Sequence, residues 1–370
     1  MLARAMEVPV RIAILLSILV LDVASLAGAS EVTRTLTAEL PAAETSRFAI
    51  ENLAGFMRVT VGTGDKVEAV ATLHAETEEL ARLVRFERVV GEHGVTTLRV
   101  RYPLDRVSEV RYPGGETDGG LLMGLFSGSN TETKYDGRRV RIGGRRGTLL
   151  YADVEVRVPK HTAAATFKTG AGPMSGADLE GTIVFDTSHG PVTLSHMSGD
   201  VLADTGSGDV AASDMKGSFK CDTGSGECVV TRFSGDKLVC DTGSGEVRVA
   251  SVQAKSISID SGSGSVRLED TDAEDMNVDT GSGSLDLDSP SRRLTRLKAD
   301  TGSGSVNLRL GHDAGFEAYA DLGSGDIVNH YADAQPILKR REVVGYRRGD
   351  GHIRIDVDTG SGNLTLEPGR

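Results

Sequence analysis

The chain of 370 residues has no tryptophan, seven tyrosines, nine phenylalanines and three cysteines. So few large side chains disfavour a globular core built around bulky residues. Positive net charge is also missing, because the formal charge is −12 at pH 7. This argues against a general nucleic-acid-binding protein. Glycine, in contrast, is abundant at 46 residues, which is typical of a structure with many tight turns and small packed side chains.

The acidic charge is confined to the second part of the chain. Residues 31–160 contain 19 basic and 19 acidic residues, whereas residues 161–370 contain 20 basic and 32 acidic residues. The second part therefore carries the whole net charge. Such a surface is soluble and self-repelling, and it attracts cations.

Long apolar runs are absent except near the N-terminus. Arg4 and Arg11 precede an apolar run over residues 12–21, and small residues follow up to Ala29. This pattern predicts a secretory signal peptide over residues 1–29. The alternative is an uncleaved membrane anchor, but the run is short and Asp22 interrupts its end. We therefore expect an exported protein, in the periplasm, on the outer-envelope surface or secreted, with no transmembrane span in the mature chain.

A five-residue sequence recurs through the acidic part of the chain. DTGSG begins at Asp204, Asp222, Asp241, Asp279, Asp300 and Asp358, and variants begin at Lys168, Asp186, Asp260 and Asp321. From Lys168 to Asp321 the spacing is 18–21 residues, and the last step of 37 contains an insertion. A fixed period near 20 indicates a solenoid.

The flanks of each turn alternate between apolar and polar residues. Around Asp222, for example, Phe219 and Cys221 alternate with Lys220, and Cys228 follows the turn. Each repeat is therefore a rung made of a strand, a tight turn, a second strand and a looser return. Stacking the rungs in register buries the apolar face. The sequence predicts an all-β fold, a single-stranded β-helix or β-solenoid of about ten rungs, right-handed by the crossover rule.

The two halves of the chain define the predicted domains. Residues 30–160 form a β-rich N-terminal region with a mobile insertion over residues 105–147, and residues 161–370 form the solenoid with an insertion over residues 331–350. The first insertion contains an apolar segment at 121–126. The second is basic, and we expect a side loop or cap that folds back onto the acidic solenoid, or that binds an anionic partner.

The turn residues suggest how the chain reverses. We expect Asp222 to accept hydrogen bonds from backbone N–H groups two or three residues later, and the two glycines to supply positive φ. An aspartic protease would need two such turns facing each other. Eight similar turns along one edge provide no such dyad.

A calcium site is the one metal hypothesis that the turns support. On three successive rungs the residue five positions after the aspartate is also acidic, which gives Asp204, Asp209, Asp222, Glu227, Asp241 and Glu246 as candidate Ca²⁺ ligands. The pattern is similar to the calcium-binding repeat of β-roll toxins, but later rungs place Ser265, Ser284 and Ser305 at the second position. The alternative is that each aspartate is satisfied by its own turn. We expect no other cofactor.

Enzymatic chemistry has little support in the sequence. A polysaccharide-cleaving β-helix enzyme would need convergent titratable residues, but the eight histidines are scattered and neither an H-E-x-x-H nor a G-x-S-x-G motif occurs. We therefore expect no enzyme. The cysteines leave three arrangements open: buried thiols, a Cys221–Cys240 disulfide or a Cys221–Cys228 disulfide.

The segments FAIENLAGFMRVTVGTGD, VEVRVPK and GDVLADTGSGDV together resemble the bacterial putative-adhesin β-strand-repeat family, a domain of unknown function. The resemblance covers roughly residues 48–367. It implies a single-stranded β-helix of the cell envelope without established catalytic residues. A partner would be an envelope or surface component, a glycan or a protein.

Overall fold

The computed structural model of the protein describes residues 31–91, 94–114 and 130–369. The predicted signal peptide and the apolar segment 121–126 lie outside the described residues. The described chain is almost entirely β-structure, which confirms the predicted fold class. The described residues include one short α-helix, α1, Glu78–Leu83, and a 3-10 turn, Ala42–Glu44. The hydroxyl of Thr77 caps α1 by accepting a hydrogen bond from the amide of Leu80 at 3.3 Å.

The strands follow the chain in two groups. The N-terminal strands are β1 Val32–Leu40, β2 Arg47–Ala54, β3 Met57–Val61, β4 Val67–Ala75, β5 Arg85–Val90, β6 Thr96–Arg101, β7 Glu109–Arg111, β8 Asn130–Tyr135, β9 Arg138–Gly143 and β10 Thr148–Val158. The strands of the repeats are β11 His161–Ala171, β12 Met174–Ala177, β13 Glu180–His189, β14 Val192–Ser195, β15 Ser198–Thr205, β16 Val210–Thr223, β17 Cys228–Thr242, β18 Val247–Ser261, β19 Val266–Thr280, β20 Leu285–Ser289, β21 Arg296–Thr301, β22 Val306–Leu310, β23 Phe316–Leu322, β24 Ile327–Asn329, β25 Gln335–Lys339, β26 Glu342–Arg348, β27 Ile353–Thr359 and β28 Leu364–Pro368.

The repeats stack as parallel strands in register. Asp222 lies opposite Asp204 on one side and Asp241 on the other, and the neighbouring residues follow the same register. In the middle of the stack one long strand, such as β17, leaves one turn and enters the next. The predicted alternation holds along it, because Cys228, Val230 and Phe233 are buried while the residues between them are less so. The core is therefore a set of continuous apolar columns.

The stack extends into the N-terminal region. Strand β2 pairs in parallel with β11, which places Glu51 opposite Lys168, and β3 pairs with β12. The sequence from Glu51 to Gly55 thus takes the place of a DTGSG turn. Antiparallel strands cover this end: β5 pairs with β6, which lies beside β2, and β1 and β4 extend the sheet beyond β10.

The last two rungs do not stack in chain order. Strand β27 pairs with β21 on one side and with β23 on the other, and β28 lies likewise between β22 and β24. The C-terminal rung, residues 353–368, is therefore inserted beneath the rung that precedes it in sequence. The rung of residues 316–329 is the outermost one.

Both predicted insertions contain strands. Within residues 105–147, β7 pairs with β9 and β10, and β8 pairs with β9, so the described part is a small sheet rather than a loop. Within residues 331–350, β25 and β26 form an antiparallel hairpin. Strand β26 also pairs with β23, and so the hairpin covers one edge of the outermost rung, in agreement with the expected cap.

The looser return predicted for the rungs contains a turn whose conformation is not evident from the sequence. It contains a non-glycine residue with positive φ, which recurs at Asp178, His196, Asp214, Arg232, Ser251, Asp270 and Ser291. These residues differ in type, which explains why the repeat is hidden. Where residues of opposite charge occupy this position on neighbouring rungs, they form ion pairs. Arg232, for example, donates two 2.7 Å hydrogen bonds to Asp214.

Candidate functional site

The DTGSG turns stack into one continuous edge of the solenoid, and threonine holds this edge together. In each regular rung the threonine hydroxyl donates to a glycine carbonyl of the preceding rung and accepts from the second glycine amide of its own turn. For Thr223 the partners are Gly208 O and Gly226 N, both at 3.0 Å. Thr242, Thr280 and Thr301 repeat the pattern. These hydroxyls are buried, so they join the rungs where water cannot.

The prediction that aspartate caps the turn is wrong. Asp222 instead accepts a 2.7 Å hydrogen bond from Lys220 of its own strand. The threonine lies inward and faces the turn amides, whereas the aspartate beside it points outward because the strand alternates. The hydroxyl of Thr223 therefore lies close enough to the turn amides to cap the turn, whereas the carboxylate of Asp222 does not.

The predicted reason for the glycines is also wrong. Neither Gly224 nor Gly226 lies in the left-handed region. They are required by close approach, since a Cβ on Gly226 would lie 1.9 Å from Gly208 O, and one on Gly224 would lie 2.3 Å from Gly206 O. A Cβ at either position would thus collide with the preceding rung.

The outward aspartates form a ladder along this edge. Register places side by side Asp186, Asp204, Asp222, Asp241, Asp260, Asp279, Asp300, Asp358 and Asp321. Neighbours on adjacent parallel strands are about 4.8 Å apart along the stack. Burial, together with the charges of Asp186 and Asp222, raises the pKa of Asp204. Lysines relieve the repulsion locally, for Lys168 lies 2.6 Å from Asp186.

The six candidate calcium ligands lie on neighbouring rungs, but most have protein partners. Asp209 accepts a 2.9 Å hydrogen bond from the amide of Glu227. Arg248 lies 2.7 Å from Glu246 and 3.5 Å from Glu227. Asp222 is paired with Lys220 as described above, which leaves Asp204 and Asp241 on the ladder.

Within the described residues no group of three or more His, Cys, Asp or Glu side chains is arranged to hold a metal ion. Calcium binding by Asp204, Asp209, Asp222, Glu227, Asp241 and Glu246 remains a prediction. If these carboxylates hold Ca²⁺, the melting temperature rises with added CaCl₂ and falls with EDTA. A melting temperature that responds to neither would exclude the site.

Two surface depressions of about 390 Å³ each lie away from the turn edge. The first, beside α1, is lined by four arginines, among them Arg85, Arg101 and Arg138, together with two aspartates and four uncharged residues. Its charges are compensated, since Arg101 lies 2.7 Å from Glu87 and 3.9 Å from Asp136. The second follows the positive-φ turns near Arg232 and Asp270. Both are open depressions with paired or mixed charges.

A histidine cluster that the sequence did not reveal lies in the N-terminal sheet. His74 on β4 bonds to Glu31 and lies 3.4 Å from Asp153 on β10. Its ring stacks on Tyr151 with centroids 4.4 Å apart. Burial disfavours the charged ring, but the hydrogen bonds with Asp153 and Glu31 outweigh this effect and raise the pKa of His74. The carboxylates come from distant segments, which hides the cluster in the sequence.

The three cysteines meet in the core as free thiols. Cys221 and Cys240 lie in register on adjacent strands, and Cys228 is buried beside them. Burial raises the pKa of Cys228 well above its ordinary value. Of the arrangements left open by the sequence, the structure has the buried thiols.

These features define an all-β solenoid whose prominent surface is a stacked edge of turns. The chain belongs to the Toastrack DUF4097 family, a family of unknown function, whose model matches residues 151–367. This confirms the resemblance to a repeat domain of unknown function. A search of curated proteins gave no match. Among the described residues, none of the helices has the length and apolar character needed to cross a bilayer.

Solved structures that are similar to the chain include the following two. One is a putative cell adhesion protein from Clostridium sporogenes, with a TM-score of 0.22 and 8% identity over 91% of this chain and 99% of that chain. The other is a putative lipid binding protein from Parabacteroides distasonis, with a TM-score of 0.38 and 14% identity over 90% of this chain and 96% of that chain.

Proposed function

We propose that the protein is an exported, non-enzymatic β-solenoid that acts as a structural or binding module of the bacterial cell envelope. The observation that carries this proposal is the arrangement of outward side chains in columns along the stack. The aspartate ladder is the most uniform column, and it continues from Asp186 to Asp321. Columns of this kind present an extended surface to a partner, and binding by solenoids is spread over many rungs.

The outward columns on the other strand of each rung are mixed in charge. One of them runs through Arg248, Arg267, Asp286 and Asn307. Catalysis needs an acid, a base or a nucleophile that converge on one reacting atom. A column instead repeats its groups at rung spacing, which suits a long partner such as a glycan chain or an extended protein surface.

Export rests on the N-terminal sequence, in which Arg4 and Arg11 accompany a short apolar run that ends before Ala29. Cell fractionation into cytoplasm, periplasm, outer membrane and medium tests this part. Mass spectrometry of the recovered chain should find an N-terminus at Ser30. Recovery of the uncleaved chain in the cytoplasm would overturn it.

Binding is tested by affinity capture from envelope extracts and by glycan arrays. A matched variant neutralises part of the ladder: Asp260→Asn, Asp279→Asn and Asp300→Asn together. We expect this variant to lose a partner that binds the turn edge, whereas Asp313→Asn, in an exposed loop, removes charge elsewhere and should retain it. A polysaccharide-cleaving activity on envelope glycans would contradict the non-enzymatic assignment.

A further inference from the structure

The hairpin of β25 and β26 ends in an exposed basic turn. Lys339, Arg340 and Arg341 are all exposed, and within the described part of the chain none of them forms an ion pair. The nearest acidic residue in sequence is Glu342, which lies opposite Lys339 in the hairpin. The tip, residues 338–343, therefore carries an excess of positive charge on a protein whose net charge is −12.

The basic residues of the hairpin stem behave differently. Arg347 lies 3.2 Å from Glu317, and Arg348 lies 2.8 Å from Asp333 and 4.9 Å from the ring centre of Tyr331. Arg347 thus attaches the hairpin to the outermost rung, and Arg348 attaches it to residues that flank this rung. The expected folding back onto the acidic solenoid thus occurs in the stem, and the cations of the tip are left for another partner.

The tip also exposes apolar surface beside these cations. Leu338 and Val343 face each other across the hairpin and are 62% and 44% exposed. Four large apolar side chains are exposed among the described residues. Leu338 and Val343 are two of them, and Val90 and Val328 are the other two. Apolar side chains bordered by lysine and arginine are typical of segments that lie in a membrane interface.

The turn holds these groups in a fixed arrangement. Arg340 and Arg341 have φ of 54° and 79°, and they lie between the paired residues Lys339 and Glu342. Two central residues with positive φ characterise the type I′ turn of a tight hairpin. The cations and the apolar pair are therefore presented together at the end of the stack.

We propose that this tip binds the surface of an anionic phospholipid bilayer. Leu338 and Val343 enter the interface, and Lys339, Arg340 and Arg341 contact lipid phosphates. The acidic ladder is repelled by the same surface, so the protein approaches with the tip first. An acidic protein would satisfy the cations but would leave the apolar pair exposed, which is why the bilayer is favoured. This inference concerns a surface separate from the turn edge and does not depend on the proposed function.

The test is co-sedimentation of the full chain with vesicles of phosphatidylcholine alone and of phosphatidylcholine mixed with phosphatidylglycerol. We expect binding to the anionic vesicles, and binding that weakens as salt is added. The key variant is Arg340→Asn with Arg341→Gly. It removes two charges but introduces Asn-Gly, the pair that type I′ turns prefer, so the hairpin is retained. Each cation near the surface contributes about fivefold, so affinity should fall about 25-fold.

The matched control is Lys216→Gln with Arg292→Gln. It removes two exposed charges from the side of the stack and should bind like the wild type. A second variant, Leu338→Ser with Val343→Ser, should weaken binding while its dependence on salt persists. Equal binding of wild type and the Asn-Gly variant to anionic vesicles would overturn the proposal. The proposal would also be overturned if the wild type bound neutral and anionic vesicles equally. This holds even if the tip binds an acidic protein instead. Every chain compared carries the same N-terminal segment, so its contribution cancels.

Discussion

The hydroxyl of Thr242 donates a 3.1 Å hydrogen bond to the carbonyl oxygen of Gly226, one rung earlier in the stack. The same hydroxyl accepts from the amide of Gly245 at 3.0 Å. One side chain thus closes its own turn and fixes the distance to the preceding turn. A buried hydroxyl in this position both donates and accepts, which a methyl group of the same size cannot do.

Thr242→Val should destabilise the protein by about 1–3 kcal/mol, because it leaves a buried carbonyl and a buried amide unpaired. Thr187 provides the matched control. It occupies the same column and is equally buried, but its hydroxyl has no hydrogen-bond partner. Thr187→Val should be neutral or stabilising. Chemical denaturation midpoints of the two variants measure the difference, and equal losses would contradict the role assigned to the hydroxyl.

Gly226→Ala should destabilise by about 1–3 kcal/mol or more, because the added Cβ lies 1.9 Å from Gly208 O and the rungs must separate. Gly64→Ala is the control, since a Cβ at that position has no neighbour within 4 Å. We expect the control to change stability by less than about 0.5 kcal/mol. Comparable melting temperatures for the two variants would show that close approach is not the reason for the glycine.

Asp204→Asn should raise the melting temperature at pH 7. The folded protein raises the pKa of Asp204, so the ionised form destabilises the native state, and stability increases as the pH falls through that pKa. Because the group is partly exposed, the gain should be below about 1 kcal/mol. It should vanish below about pH 3.9, where the carboxyl is protonated in both states.

Asp222→Asn is the comparison for this prediction. It removes the same charge from the ladder but also breaks the 2.7 Å ion pair with Lys220. Its gain should therefore be smaller than that of Asp204→Asn. A lower melting temperature for Asp204→Asn at pH 7 would show that the ladder is not repulsive at this rung.

Much of the fold follows from the period and the alternation of the repeats. The columns of Phe219, Cys221 and Cys228 are buried as predicted, because inward and outward positions are set by the two-residue period of a strand. The role of each turn residue did not follow. Aspartate and threonine are both good capping residues in isolation, and only the position of Thr223 inside the stack decides between them.

The order of the last rungs could not be predicted for a related reason. The rungs before Asp321 and Asp358 carry the same apolar pattern, so either can pack on the rung of Asp300. The apolar pattern of the sequence therefore predicts that these rungs stack, but it does not predict which of the two is outermost. The cluster of Glu31, His74 and Asp153 is hidden because its members come from separate strands with no shared motif.

His74 should make stability depend on pH. Its pKa is raised in the folded protein, so its contribution is fully present below about pH 6.5, the unfolded value, and is lost as the pH rises through the folded pKa. The difference in melting temperature between the wild type and His74→Gln should thus be larger at about pH 6 than at about pH 9, two values on either side of the pH range in which histidine loses its proton. His312→Gln, at a strongly exposed histidine, is the control and should show no such trend. An identical pH profile for His74→Gln and wild type would contradict the cluster's role.

Truncation after Asp350 should disturb more than the residues that it removes. The deleted rung lies between β21 and β23, so the outermost rung would lose the strands that it pairs with, β27 and β28. Backbone amides open locally when such pairing is lost. We expect hydrogen exchange to show loss of protection in β23 and β24, while β16 to β18, whose pairing is unchanged, stay protected as an internal control. If β23 and β24 stay protected, they must pack directly on β21 and β22. This result would show that the outermost rung does not need the inserted C-terminal rung to stay folded.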